Sequence, residues 1–164
     1  MRPSPALLAL LLLGSACGSS DPREQTDRGA SALASGDAKG ARSDFEAALA
    51  VLHPGEPDYA RASMGRFQAL VRLEPDKARD EFLVYAKNPA NKTSEGDYIA
   101  LVGEFLRREQ TVPAIDVMDA GVKAFPKSDA MAAIRKKVED QARTANNPAA
   151  LQKMKGLGYI GGDK

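Results

Sequence analysis

Residues 36–54, GDAKGARSDFEAALAVLHP, decide the fold of this chain. Ala41, Phe45 and Ala48 stand at offsets of 0, +4 and +7, which places them on one face of a helix. Gly36 and Asp37 precede that helix as a stop signal and an N-cap, and Pro54 follows it as a break. The stretch therefore predicts a helix that buries one face of small and bulky side chains.

The same small–bulky pattern returns three times along the chain. The leading alanines, Ala41, Ala78, Ala114 and Ala150, are 37, 36 and 36 residues apart. Four and seven residues after the later alanines stand Phe82 and Tyr85, Met118 and Gly121, and Met154 and Leu157. A regular unit of this length indicates stacked supersecondary units that bury a continuous core.

Glycines form a second periodic set, upstream of the first three units. Gly29, Gly65 and Gly103 are spaced by 36 and 38 residues, and we expect each to let two helices approach closely. Each unit is therefore predicted to be an antiparallel pair of helices, and the fold class all-α. Helices are predicted at 22–35, 38–52, 57–73, 75–87, 95–109, 112–124, 129–145 and 148–156, with Asp37, Ser94, Thr111 and Ser128 as N-caps.

The order of the motifs resembles the tetratricopeptide repeat (TPR). That family has a small residue in its first helix, a Gly-Asp turn, then alanine, an aromatic residue, a small residue and a closing proline. The resemblance covers residues 27–155 and implies a short TPR-like solenoid of three to four repeats. Tyr85 departs from the family pattern, because a small residue is expected there, and the period exceeds the family's 34 residues.

The first sixteen residues have the pattern of an export signal. Arg2 supplies a positive start, residues 6–13 are an unbroken apolar run, and residues 14–16 are small. The apolar run is far shorter than the ~20 residues that span a bilayer. Residues 1–16 are therefore predicted to be a signal peptide, removed from the mature chain.

Cys17, the only cysteine, follows that signal directly. The sequence LGSAC at residues 13–17 resembles the bacterial lipobox, in which the cysteine becomes the first residue of the mature chain. The resemblance implies that Cys17 carries a diacylglycerol and an N-acyl chain, and that it anchors the protein to a membrane. The alternative is cleavage by an ordinary secretory peptidase, which would leave Cys17 as a free thiol.

Residues 17–26 are polar after the cysteine and are predicted to be a flexible tether between lipid and fold. In enteric bacteria, an aspartate directly after the lipidated cysteine retains a lipoprotein at the inner membrane. Gly18 stands at that position, so the resemblance implies the periplasmic face of the outer membrane.

Charge and composition exclude several functions. Without residues 1–16, the chain has 22 basic and 22 acidic side chains, which argues against nucleic acid as a partner. One histidine, His53, and one cysteine give no nucleophile–base pair and no transition-metal set. We therefore expect no enzyme activity, no cofactor and no metal site.

A helical solenoid binds partners on its concave face, built mainly from the first helix of each pair. Counting helical positions from Gly65 and Gly103 predicts which side chains lie on this concave face. The candidate residues for partner binding are Tyr59, Arg66, Tyr98, Glu104, Arg107 and Arg108, and Ala62 and Ala69 are expected on the same face. Arginine and tyrosine are typical interface anchors. The alternative is that the arginines form a solvated face and the tyrosines pack within a repeat.

The C-terminal tail, residues 156–164, contains three apolar residues, Leu157, Tyr159 and Ile160, among its glycines. One interpretation is a cap, in which Leu157 and Tyr159 cover the last helix pair. The other is a docking segment, because residues 154–161 resemble a short sequence, LxxLGYxG, often found where sulfatase-like proteins meet tetratricopeptide repeats in bacteria.

Together these features predict an envelope lipoprotein that serves as a protein–protein interaction or assembly scaffold through a TPR-like groove. The alternative hypothesis is a lipoprotein that binds a small ligand or a glycan.

Overall fold

A computed structural model describes residues 21–161, and every regular element in that range is a helix. This confirms the predicted all-α class. The helices are α1 (Pro22–Ser35), α2 (Ala38–Leu49), α3 (Pro57–Leu73), α4 (Pro75–Lys87), a 3-10 helix (Pro89–Asn91), α5 (Glu95–Arg107), α6 (Thr111–Ala124), α7 (Asp129–Thr144) and α8 (Pro148–Gly156).

The predicted signal peptide and Cys17 lie outside the described residues. The sequence placed residues 22–26 both in the tether and in the first helix, and the structure supports the helix. Helix α1 begins at Pro22, and Asp21 caps it by accepting a hydrogen bond from the Arg23 amide. Thr26, predicted as tether, is buried, and its hydroxyl donates to the Pro22 carbonyl at 2.8 Å. Residues 22–26 therefore belong to the first helix.

Three of the four predicted N-caps are confirmed. Asp37 accepts from the Gly40 amide at 2.9 Å, Ser94 forms a capping box with Asp97, and Ser128 caps α7. The prediction for Thr111 is wrong, since Thr111 is already the first residue of α6 and its side chain is buried.

The helices pack in a regular scheme. Helices α1, α3, α5 and α7 contact one another in that order, and α4, α6 and α8 do the same. Hairpin partners such as α1 and α2, or α5 and α6, also pack together. Among the described helices, none has the length and apolar character needed to span a bilayer.

The apolar interior has two parts. The larger joins α3 to α8 and contains Phe82, Phe105 and Met118, all fully buried. The smaller joins α1, α2 and α3, and consists of Leu33, Phe45 and four alanines. The first hairpin is therefore held by a core of its own, with Phe45 as its aromatic ring.

Candidate functional site

A groove of about 630 Å³ runs between α1, α3 and α5, and is called here the α1–α3–α5 groove. Leu33, Phe45 and Met64 give it an apolar surface, while Gln68, Arg72 and Glu104 give it a polar one. Alanines on α1 and α3 and Gly65 leave room between the helices. The groove therefore combines an apolar stretch with a charged end, as binding clefts commonly do.

The apolar stretch depends on two glycines. A Cβ atom on Gly29 would lie 2.9 Å from the Phe45 ring, and one on Gly65 would lie closer still. Both distances are too short for real carbon atoms. The predicted close approach of helices at Gly29 and Gly65 is therefore confirmed, and the ring of Phe45 occupies the slot between them.

Gly103 does not share this role. A Cβ atom there would meet only the Arg107 side chain, at an ordinary 3.6 Å, while the neighbouring Val102 is fully buried. Gly103 follows Gly65 by 38 residues rather than 36, and two extra residues turn a helix by about 200°. The prediction of a close approach at Gly103 is therefore wrong.

The charged end of the groove is organised around Glu104. Its side chain is only 4% exposed, and it accepts hydrogen bonds from Arg72 Nε at 3.0 Å and from Arg107 Nε and Nη2 at 3.1 and 2.5 Å. Arg108 Nε lies 3.5 Å from the Glu104 Oε1 atom. Three guanidinium groups therefore surround one buried carboxylate.

Two opposing effects set the ionisation of Glu104. Burial by itself raises the pKa of this carboxyl, but the hydrogen bonds from Arg107 and Arg72 outweigh it, so the pKa is lowered. The carboxylate is therefore ionised at neutral pH and holds the guanidinium groups in place.

Arg72 links three helices at this point and is not among the residues predicted from the sequence. It belongs to α3, bonds Glu104 of α5, and donates through Nη1 to the Leu33 carbonyl of α1 at 2.7 Å. Arg72 stands seven residues after Gly65, so the same helix face could have been found by counting +3 and +7 from that glycine.

The structure does not bring the six candidate residues to one face. Glu104 and Arg107 line the α1–α3–α5 groove, and Arg108 adjoins Glu104. Arg66 instead bonds Glu46 of α2 at 3.2 Å and Glu81 of α4 at 2.6 Å. The prediction that Arg66 shares a face with Glu104 is therefore wrong.

Tyr59 lies on the same side as Arg66. Its ring stacks on that of Tyr85, with 6.3 Å between centroids, beside the 71%-exposed Val84. Ala62 and Ala69, predicted on the same face as Tyr59, are completely buried. The groove face of α3 runs through Met64, Gln68 and Arg72, so the predicted face of this helix is rotated away from the groove.

Tyr98 is a packing residue. It is buried, and its ring makes edge contacts with Phe82 at 5.2 Å and Phe125 at 6.0 Å. Tyr98 therefore packs both within its own helix pair, on Phe125, and against the preceding pair, on Phe82. Arg107, by contrast, remains largely exposed, at 66% of its side chain.

The C-terminal tail packs against the last helices. The Tyr159 hydroxyl donates to Asp119 of α6 at 2.8 Å, and the Arg135 guanidinium lies 5.5 Å from the centre of its ring. Ile160 contacts the main core, whereas Leu157 is 37% exposed. Tyr159 and Ile160 therefore cover the end of the core, and the prediction that Leu157 does so is wrong.

No group of three His, Cys, Asp or Glu side chains within residues 21–161 is placed to hold a metal ion. His53 is exposed after α2.

Comparison of this chain with models of known families, with curated proteins and with solved structures found no match.

Proposed function

We propose that this protein is an envelope lipoprotein that binds another protein through the α1–α3–α5 groove. The observation that carries the proposal is the groove itself, in which an apolar stretch is continuous with a preorganised cluster of arginines. Arginine and buried apolar surface are the two components that dominate protein–protein recognition.

A TPR-like solenoid is the arrangement that we infer for the helices. The repeated positions support it, because Ala41, Ala78, Ala114 and Ala150 are all fully buried, each with a bulky buried residue four positions later. The contacts among α1, α3, α5 and α7 also support it, since a solenoid aligns the first helices of successive pairs. In such a stack this row of helices lines the concave surface.

The anchor is proposed to be lipid on Cys17. Only four residues separate Cys17 from the start of α1 at Pro22, and an extended chain rises at most ~3.6 Å per residue. A lipid on Cys17 would therefore hold the start of α1 within roughly 20 Å of the membrane surface, and the groove beside α1 within roughly 40 Å. Such a tether favours partners in the envelope, and we place the protein at the periplasmic face of the outer membrane.

Metabolic labelling with a fatty acid tests the anchor. We expect label on the intact chain and none on Cys17→Ala, with the Cys17→Ala chain released from the membrane fraction. Equal labelling of the two chains, or none of either, would remove the lipoprotein part of the proposal.

Photo-crosslinking in cells tests the groove. A benzophenone amino acid at Gln68, inside the groove, is expected to crosslink one or more envelope proteins. The same amino acid at Lys136, which is exposed on α7, is the matched control. Crosslinks at both positions alike, or at neither, would contradict partner binding through the groove.

A second candidate function is binding of a small ligand or glycan, and one observation favours it. The shallow cavity beside Tyr59 and Tyr85 has a volume of about 520 Å³ and is lined in part by the polar side chains of Asn88 and Asn91. Aromatic rings beside polar side chains suit a polar ligand with an apolar face. A glycan array on the wild type and Tyr59→Ala tests this, and binding that the variant loses would favour this function over the scaffold.

A further inference from the structure

The arginine cluster at the end of the groove has more donors than its own carboxylate can use. Glu104 already accepts hydrogen bonds from Arg72 and twice from Arg107, all within 3.1 Å. Arg108 reaches the same carboxylate only at 3.5 Å, the outer limit for a hydrogen bond. Glu104 is therefore satisfied by two arginines, and Arg108 is additional.

The remaining guanidinium donors face solvent. The Nη1 and Nη2 atoms of Arg108 and the Nη1 atom of Arg107 donate no hydrogen bond to another residue in the range 21–161. The side chains of Arg107 and Arg108 are 66% and 44% exposed. These groups can bind an incoming anion without breaking any contact to Glu104.

The charges along the groove are unequal. At the arginine end, three guanidinium groups surround one carboxylate, and Arg108 extends this end into an adjoining cavity that Lys39 and Asp37 also line. Four basic and two acidic side chains therefore make the local charge positive. At the other end, Arg61 pairs with Asp27 and Asp58, and Asp97 adds a third carboxylate. The groove is therefore positive at one end and negative at the other, with Leu33, Phe45 and Met64 between them.

We propose that the α1–α3–α5 groove binds an acidic peptide segment of its partner, whose side-chain carboxylates pair with Arg107 and Arg108. An apolar side chain beside those carboxylates would contact Met64, while the buried Leu33 and Phe45 form the floor beneath it. Glu104 is the positioning residue that fixes the guanidinium groups before the ligand arrives. This inference rests on the proposed function, and it adds the chemistry of the partner and the end of the groove that selects it.

The test uses the intact chain in detergent and a pair of fluorescent peptides, both blocked at their termini. One carries a leucine next to two glutamates, and the other has glutamines in place of the glutamates. We expect the glutamate peptide to bind about tenfold more tightly, and added salt to weaken it, because charge-assisted hydrogen bonds to arginine account for the difference. Fluorescence anisotropy measures both affinities.

Two single variants test whether the preference for the glutamate peptide comes from the arginine cluster. Arg108→Gln removes a donor that Glu104 does not need, so the fold should be retained and the glutamate preference should fall about threefold to tenfold. Arg143→Gln removes another solvent-exposed arginine, which pairs with Glu139 on α7, and it should leave the preference unchanged. Circular dichroism of both variants checks that they remain folded.

Each outcome separates this inference from the proposed function. Equal binding of both peptides at the groove would overturn the acidic-ligand inference and leave partner binding by the groove in place. Failure of both peptides to bind would overturn the inference, while the crosslinking at Gln68 would still decide the proposed function. Displacement of the peptide by inorganic phosphate about tenfold more effectively than by malonate would assign the arginines to phosphate ligands, and would also overturn it.

Discussion

The ring of Phe45 lies directly against the backbone of Gly65, in space that a Cβ atom on that residue would occupy. Phe45 belongs to α2 and Gly65 to α3, so this contact joins the first hairpin to the rest of the molecule. The contact also forms part of the α1–α3–α5 groove, because both residues line it. The stability of the first hairpin and the shape of the groove therefore depend on the same pair of residues.

Gly65→Ala should destabilise the protein by about 1–3 kcal/mol, because the new methyl group overlaps an aromatic ring held in a packed core. Chemical denaturation of the intact chain measures the change in free energy of unfolding. Gly103→Ala is the matched control, since its Cβ atom has ordinary room. We expect that variant to be unchanged or up to about 1 kcal/mol more stable, as alanine is the better helix former. Equal destabilisation by both substitutions would contradict the assignment of Gly65 to the close approach.

Phe45→Ala should loosen α1 and α2 without unfolding the rest. The smaller core consists of Phe45, Leu33 and alanines, so loss of the ring should cost ~3–5 kcal/mol locally. Native-state hydrogen exchange should show faster exchange in α1 and α2 and little change in α6 and α7, whose core is separate. A uniform loss of protection along the chain would instead mean that the two cores unfold together.

Glu104→Gln should cost about 1–3 kcal/mol of stability near neutral pH, because a buried carboxylate that accepts charged hydrogen bonds is lost. The lowered pKa of Glu104 means that its stabilisation is present above the pKa of the unfolded chain, ~4.3, and is lost as the pH falls through the folded value. The gap in stability between wild type and variant should therefore shrink below about pH 4. Denaturant titrations at several pH values measure it.

Glu139→Gln is the control for that experiment. Glu139 also pairs with an arginine, Arg143, but the pair lies at the surface of one helix. Its loss should change the stability by less than about 1 kcal/mol. A comparable loss for Glu139 and Glu104 would mean that the cluster has no special contribution.

Tyr159→Phe should remove the bond between the tail and Asp119 and cost about 1 kcal/mol. Burial, followed by the hydrogen bond to Asp119 and its charge, raises the pKa of Tyr159 from 10.0 to about 12. A raised pKa stabilises the fold below the unfolded value, and this contribution is lost as the pH rises from 10.0 to about 12. The wild type should therefore lose its advantage over Tyr159→Phe in that range, as thermal unfolding at pH values on both sides of it would show. A constant difference would mean that Tyr159 is not buried against Asp119.

The helices themselves could be predicted with few errors, because their ends are marked by local signals. Asp37, Ser94 and Ser128 cap helices where the sequence predicts them, and Gly36 ends α1 with a positive φ of 93°. Capping involves residues only two or three positions apart, so it is decided without the rest of the fold. Thr111 is the exception, since its side chain is buried by packing.

The groove could be predicted only in part. Glu104 and Arg107 were found because they share a face of α5 with the expected groove, but Tyr59 and Arg66 were assigned to the wrong side of α3. A one-residue error in choosing the face turns a helix by about 100°, which separates a groove residue from a residue on another surface. Only the contacts of α3 with α2 and α4 distinguish its groove face from the face that carries Tyr59 and Arg66.

The amino-acid sequence by itself determined the helical class and nearly all the helix ends. Both depend on residues within about one helical turn of each other. The tertiary structure alone decided that Arg72, Arg107 and Arg108 meet at one buried carboxylate. Arg72 and Glu104 are 32 residues apart, and their distance depends on how α3 and α5 pack, which no local pattern of residues specifies.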